Sequence, residues 1–236
     1  MKTIGLIGGM SWESTALYYQ AINRIVGQRL GGFHSAKIVL HSVDFAEIEA
    51  LQRAEAWDAA GERLASIARS LETAGAECLV VCANTMHLVA PQIEAAVSIP
   101  LLHIADATAE RIHAARARNA GLLGTRFTMS RDFYRTRLES HGLRIQLPDA
   151  EDREIVDRIV FDELCHGEIR ESSRAEYIRV IDGLVARGAE GIILGCTEIG
   201  MLIRPSDVAV PLFDTAQIHA EKAAEFALAE PAEKER

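Results

Sequence analysis

The strongest constraint on the fold is a set of short, uninterrupted apolar runs, each closed by glycine or by small polar residues. "GLIGG" opens the chain, "CLVV" leads into Cys82 and Ala83-Asn84-Thr85, "GLLGT" ends at Thr125, and "GIILG" ends at Cys196. Runs of this kind leave no polar face, so such strands must be covered on both sides, as in parallel sheets flanked by helices. Longer amphipathic stretches separate them, and that alternation predicts an α/β fold with parallel sheets. Strands are predicted at "TIGLIG", "AKIVLHSVDF", "AECLVV", "PLLHIA", "AGLLGT" and "AEGIILG". Helices are predicted at "SWESTALYYQAINRIVGQRLG", "AWDAAGERLASIARSLETAG" (closed by Gly75), "APQIEAAV", "DATAERIHAARARN", "MSRDFYRTRLESHG", "EDREIVDRIVFDELCHGE" and "SSRAEYIRVIDGLVARG", with a last helix from Thr215 to Ala229.

The chain also repeats itself. "AGAECLVVCANT" lies on "RGAEGIILGCTE", matching Gly75 with Gly188, Glu77 with Glu190 and Ala83 with Cys196. A weaker echo pairs "GLIGGMSWESTALYY" with "GLLGTRFTMSRDFYR" at nearly the same offset. Two echoes in one order predict two α/β halves. The expected boundary lies near Arg116 to Asn119, giving 1–115 joined by a C-terminal helix within 207–230, and 116–206. Ligands of such sheets sit beyond the carboxyl ends of the strands. Those ends are Gly8-Gly9-Met10-Ser11, Ala83-Asn84-Thr85, Gly124-Thr125 and Cys196-Thr197-Glu198, and facing halves would bring them to one cleft.

Composition narrows the partners. The 236 residues carry a formal net charge of −9, a poor match for nucleic acid or an anionic membrane. Cys78, Cys82, Cys165 and Cys196 form no CxxC pair, so neither a zinc site nor a redox motif is expected. The opening segment is too short and glycine-rich for a signal peptide, and no apolar run reaches membrane-spanning length. A cytoplasmic protein with reduced thiols is expected. The Gly-Gly turn before Ser11 is expected to form an anion nest but lacks the GxGxxG and GxxxxGK patterns of nucleotide sites.

The segments "GLIGGMSWEST", "HSVDF", "CANTMH", "HIADAT", "LLGTRFTM", "GCTEI" and "PLFDTAQIHA", in this order, resemble the aspartate/glutamate racemase family, which works without pyridoxal phosphate. The resemblance spans nearly the whole chain. It implies two facing Rossmann-like domains related by a pseudo-twofold axis, with a last helix returning to the first domain. It also implies a homodimer acting on a small amino acid with no cofactor and no metal. The family pattern is Cys-Asn-Thr in the first half and Gly-Cys-Thr in the second. Here Gly195-Cys196-Thr197 keeps the second, whereas Ala83 stands before Asn84-Thr85. Cys82 lies one residue upstream, and successive side chains of a strand point to opposite faces, so Cys82 is expected to be a core thiol unless a bulge turns it.

Racemisation takes the α-proton from one face and returns one to the other, most simply with two opposed acid/base groups. Cys196 is the expected thiolate base, and Ala83 occupies the place of the second. Asn84, Thr85, Thr125, Thr197, Met10, Ser11 and nearby backbone N–H groups are expected to hold the α-groups of the substrate. Gln52 or Arg53 either reads the distal carboxylate or sits on a solvated helix face. Leu164 and Cys165 lie where the family brings a further helix toward the substrate. Glu198 either orients and titrates with Cys196 or caps a turn. His87 reads as structural and Cys78 as core. The expected activity is racemisation of aspartate or glutamate. A homologue that binds amino acids without turnover and a single-cysteine decarboxylase-like enzyme are the alternatives.

Overall fold

The structure, a computed structural model, describes residues 1–229. Their contacts form two compact units. One comprises 1–82, 89–102 and the described residues from 219 on; the other comprises 83–88 and 103–218. No helix among the described residues is long and apolar enough to cross a membrane.

The first unit holds a parallel sheet in the order β2-β1-β3, with β1 at Ile4–Gly8, β2 at Ile38–Ser42 and β3 at Cys78–Val81. Helix α1 (Trp12–Leu30) starts where the Ser11 side chain accepts the backbone N–H of Ser14. It buries Ser14, Thr15, Tyr18, Ile22 and Val26, a stripe at helical spacing. Helices α2 (Phe45–Arg53), α3 (Trp57–Thr73) and, after the excursion at 83–88, α4 (Ala90–Glu94) also belong to this unit.

The second unit holds the parallel sheet β5-β4-β6-β7. In chain order its elements are α5 (Ile104–Ala114), β4 (Asn119–Gly124), α6 (Arg126–Ser130), α7 (Asp132–Ser140), β5 (Arg144–Gln146) and α8 (Ala150–Asp162). Then come α9 (Glu171–Ala186), β6 (Gly191–Gly195), α10 (Ile199–Leu202), β7 (Leu212–Asp214) and α11 (Thr215–Leu228), which begins in this unit and continues into the first. Side chains alternate across this sheet. Leu123, Ile192 and Leu194 pack with α8 and α9 residues such as Val156, Ile159, Tyr177 and Ile181. Ala120, Leu122 and Ile193 pack on the other face with Ile104, Ile112, Tyr134 and Leu138. Both faces are therefore dry, which is why the strand runs are continuously apolar.

The internal repeat has a physical basis. Gly75 and Gly188 each follow a helix at φ +91° and +93°, a conformation that favours glycine. Glu77 accepts the backbone N–H of Thr3 at 2.7 Å, at the entrance to β1. Glu190 accepts those of Arg118 and Asn119 at 2.7 and 2.9 Å, at the entrance to β4. The same carboxylate thus caps the start of the central strand in each sheet.

Several expected elements differ. "PLLHIA" is not a strand: one bridge, Leu79 to Leu101, is all it forms. The His103 side chain then accepts the Ala105 N–H and starts α5 at Ile104. The helix expected through "MSRDFYRTRLESHG" is broken at Arg131, whose backbone is extended. The helix expected over "EDREIVDRIVFDELCHGE" ends at Asp162, and a 3₁₀ turn follows over Leu164–His166. The range 207–230 holds β7 and then α11 from Thr215, with position 230 outside the described residues. The three-residue strands β5 and β7 were not anticipated, and α2 was expected only as the helix face that carries Gln52 and Arg53. The contact-defined units also depart from a single crossing near 116–119. Segment 83–88 and α5 belong to the second unit. The chain from His219 belongs to the first, where Ala227 C=O accepts the Lys2 N–H and His219 bonds Tyr18 and the Leu102 carbonyl.

Candidate active site

Strand β6 delivers Cys196 just past Gly195. Gly195 pairs with Gly124 of β4, and a Cβ at Gly195 would lie 2.7 Å from the Leu123 carbonyl oxygen. Glycine is required by this close approach. Cys196 continues the alternation of Ile192 and Leu194 and packs in the same apolar cluster, which also contains Leu164, with Cys165 against its edge.

The Cys196 Sγ–H donates to Glu198 Oε2 at 3.0 Å, and the Thr197 hydroxyl donates to the same oxygen at 2.8 Å. All three side chains are buried. Burial pushes the thiol pKa well above its ordinary value. The negative charge of Glu198 and the hydrogen bond to it push the same way, while the Glu198 backbone N–H pulls weakly against them. The resting thiol is protonated and holds its proton against a carboxylate able to accept it.

Segment 83–88 reaches this strand end through side chains. The Thr215 hydroxyl donates to the Leu194 carbonyl at 2.7 Å, so its oxygen accepts from Asn84 Nδ2 at 2.9 Å. That fixes the Asn84 amide and leaves Oδ1 buried without a hydrogen-bond partner. The hydroxyls of Thr85, Thr125 and Thr128 close a ring, with 3.0 Å from Thr85 to Thr125, 3.2 Å from Thr125 to Thr128 and 3.4 Å from Thr85 to Thr128. Thr125 also caps α6 by accepting the Thr128 N–H.

His87 ties this segment to α5. The Ile104 N–H donates to Nε2 at 3.3 Å, so the ring proton sits on Nδ1 and donates to the Ala83 carbonyl at 2.8 Å. Its ring stands 4.6 Å from that of His103. Burial first, and the neighbouring His103 second, hold the His87 pKa well below its ordinary value.

Of the residues singled out in the sequence, Ala83, Asn84, Thr85, Thr125, Leu164, Cys196, Thr197 and Glu198 lie in the second unit. Met10, Ser11 and Gln52 are buried in the first. Arg53 has a side chain 77 % exposed and pairs with Glu49 at 2.6 Å, one helical turn away, whereas Gln52 on the next position is buried. Cys82 is fully buried in the first unit, with its N–H on the Ile7 carbonyl and its thiol pKa pushed up by burial alone. Cys78 is likewise buried in β3, its thiol pKa raised to about 12. Thr128 and Thr215 were missed. Thr128 follows the cap residue Thr125 at capping spacing, and Thr215 opens α11 after β7, so both had a local signal.

Residues 7–223 match the Asp/Glu/Hydantoin racemase family. The chain is 57 % identical to a candidate Asp/Glu racemase from Yersinia pestis, with 97 % of this chain and 100 % of that one covered at a TM-score of 0.92. It is 38 % identical to an aspartate racemase homologue from Pyrococcus horikoshii OT3, covering 97 % and 100 % at 0.86. A glutamate racemase from Aquifex pyrophilus shares the fold at 17 % identity, covering 96 % and 84 % at 0.62.

Two outcomes are expected. Glu198→Gln removes the charge that opposes thiolate formation, so the pH profile of Cys196 alkylation by iodoacetamide shifts to lower pH. A profile that stays in place would show that burial alone holds the thiol protonated. For His87, the folded pKa lies below the unfolded value of about 6.5. The neutral ring's contribution is therefore complete above that value and is lost as pH falls below it, because the unfolded chain takes up the proton first. Urea midpoints should fall between pH 7 and pH 5, and less steeply in His87→Gln. Equal slopes would assign the acid sensitivity to other groups.

Proposed function

The chain belongs to the Asp/Glu/Hydantoin racemase family, and on that premise we propose that it acts on aspartate or glutamate at Cα, with Cys196 as the acid/base and Ala83 at the place of the second. The observation that carries the reading is the thiol–carboxylate pair at the end of β6. In the proposed step Glu198 accepts the thiol proton and the thiolate removes the α-proton. The C–H electron pair is then delocalised onto the substrate carboxylate. A buried thiol beside a carboxylate stays protonated until positive charge arrives, and the α-ammonium of an amino acid supplies it. The unpartnered Asn84 Oδ1 supports the same ligand class, since an ammonium is a donor for it.

Position 83 limits the chemistry on this reading. It corresponds to Cys196 in the internal repeat, and alanine offers neither acid nor base. Racemisation is therefore slow, with water serving the face that lacks a side chain. In the first unit the buried Gln52, and not the solvent-directed Arg53, is proposed to read the distal carboxylate. Four free cysteines support a reducing, cytoplasmic setting.

The test is a variant series assayed by chiral chromatography of L-aspartate and L-glutamate incubations. Cys196→Ala should abolish conversion and Cys82→Ala should leave it nearly intact. Ala83→Cys should raise it by roughly 10²-fold, the low end for a positioned general acid–base group. A larger loss in Cys82→Ala than in Cys196→Ala, or no gain in a folded Ala83→Cys protein, would overturn the assignment.

A further inference from the structure

Apart from the residues around Cys196, the second unit contains a pocket of about 400 Å³ lined by the side chains of Arg126, Arg153 and Arg158, with Ser130, Glu154 and Asp157. We infer that this pocket binds a small oxyanion, a dicarboxylate or a phosphorylated small molecule, at a site separate from Cys196.

These arginines lack the ion pairs that several others in the unit make. Elsewhere in the unit Arg137, Arg174 and Arg179 each face a carboxylate within ion-pair distance. Among the described residues Arg126, Arg153 and Arg158 face none at that distance, although the whole chain carries a net charge of −9. The Arg126 guanidinium lies over its neighbour's Phe127 ring at 4.7 Å. Arg153 Nε is buried and has no hydrogen-bond partner. A buried donor of that kind is costly if it stays unsatisfied, so an acceptor is expected there.

The carboxylates in the pocket offset this charge only in part, Asp157 acting on Arg126. Asp157 Oδ1 accepts the backbone N–H of Arg126 at 2.6 Å, and Glu154 is exposed. Three guanidiniums against two carboxylates leave one positive charge. Guanidinium forks match carboxylate and phosphate oxygens in paired hydrogen bonds. At about 30 Å³ per water, the volume equals roughly a dozen waters, room for a molecule of several heavy atoms beyond the anionic group. The Asp157–Arg126 bond also pins the turn after β4, one residue from Thr125, whose hydroxyl meets that of Thr85.

The experiment is calorimetric titration of the full chain with sodium malonate and, separately, inorganic phosphate, against sodium chloride at matched ionic strength. Saturable binding is expected, weakened about tenfold or more in Arg153→Gln and in Arg158→Gln, as for loss of a charge-assisted hydrogen bond. Asp157→Asn keeps an acceptor for the Arg126 N–H and removes a negative charge, so it should bind more tightly. A change that merely loosened the fold would not do that. Tighter binding of malonate would assign the carboxylate source, and tighter binding of phosphate the phosphorylated one. Binding no stronger than the chloride control, or binding unchanged in both arginine variants, overturns the inference. The second result would place the anion elsewhere, the neighbourhood of Cys196 included. Arg158 is exposed, so its substitution leaves the fold in place for this comparison.

Discussion

One hydrogen-bonded chain underlies the geometry of the candidate site: Asn84 to Thr215, and Thr215 to the Leu194 carbonyl of β6. It fastens the residues that follow β3 to the strand that ends at Cys196. Thr215 spends its only proton on Leu194, so Asn84 has one allowed orientation. Each such buried bond contributes about 0.5–1.5 kcal/mol net, but removing one partner leaves a desolvated group that costs about 1–3 kcal/mol. The threonine ring and the His87 bridge add further fixed points, to β4 and α5. Segment 83–88 is thus positioned by buried polar side chains.

The same burial shapes the chemistry of Cys196. Its thiol pKa is raised first by desolvation and then by Glu198. A resting thiolate would be the stronger nucleophile toward stray electrophiles, whereas this thiol waits protonated beside an acceptor. On the proposed reading, the substrate's ammonium supplies the missing positive charge, so base and substrate are brought together in one event. On the same reading, alanine at 83 leaves the other face of the substrate without such a group.

Much of this was legible in the sequence, for identifiable reasons. Strand runs buried on both faces admit no polar residue, so β1, β3, β4 and β6 stood out at once. The repeat was legible because Glu77 and Glu190 perform the same backbone capping in both sheets. Cys196 was legible because an apolar strand ended on it. What sequence could not give was partnership across the chain. Nothing local to "CANTMH" says that it docks on the second sheet, since the partners Thr125 and Thr215 lie 40 and 131 residues away. "PLLHIA" looked like a strand because it is apolar, yet pairing stops after a single bridge and His103 turns the chain into α5. The edge strands β5 and β7 are three residues long, too short for any periodicity to register.

The most direct test of the account is loss of the Cα–H signal of L-aspartate and L-glutamate in D₂O, followed by proton NMR with wild-type protein and with Cys196→Ala. The account predicts solvent deuterium at Cα of at least one of the two acids with the wild-type protein, appearing faster than the opposite enantiomer, and no exchange with Cys196→Ala. Exchange that survives in Cys196→Ala, or no exchange of either acid by folded wild-type protein, would contradict it.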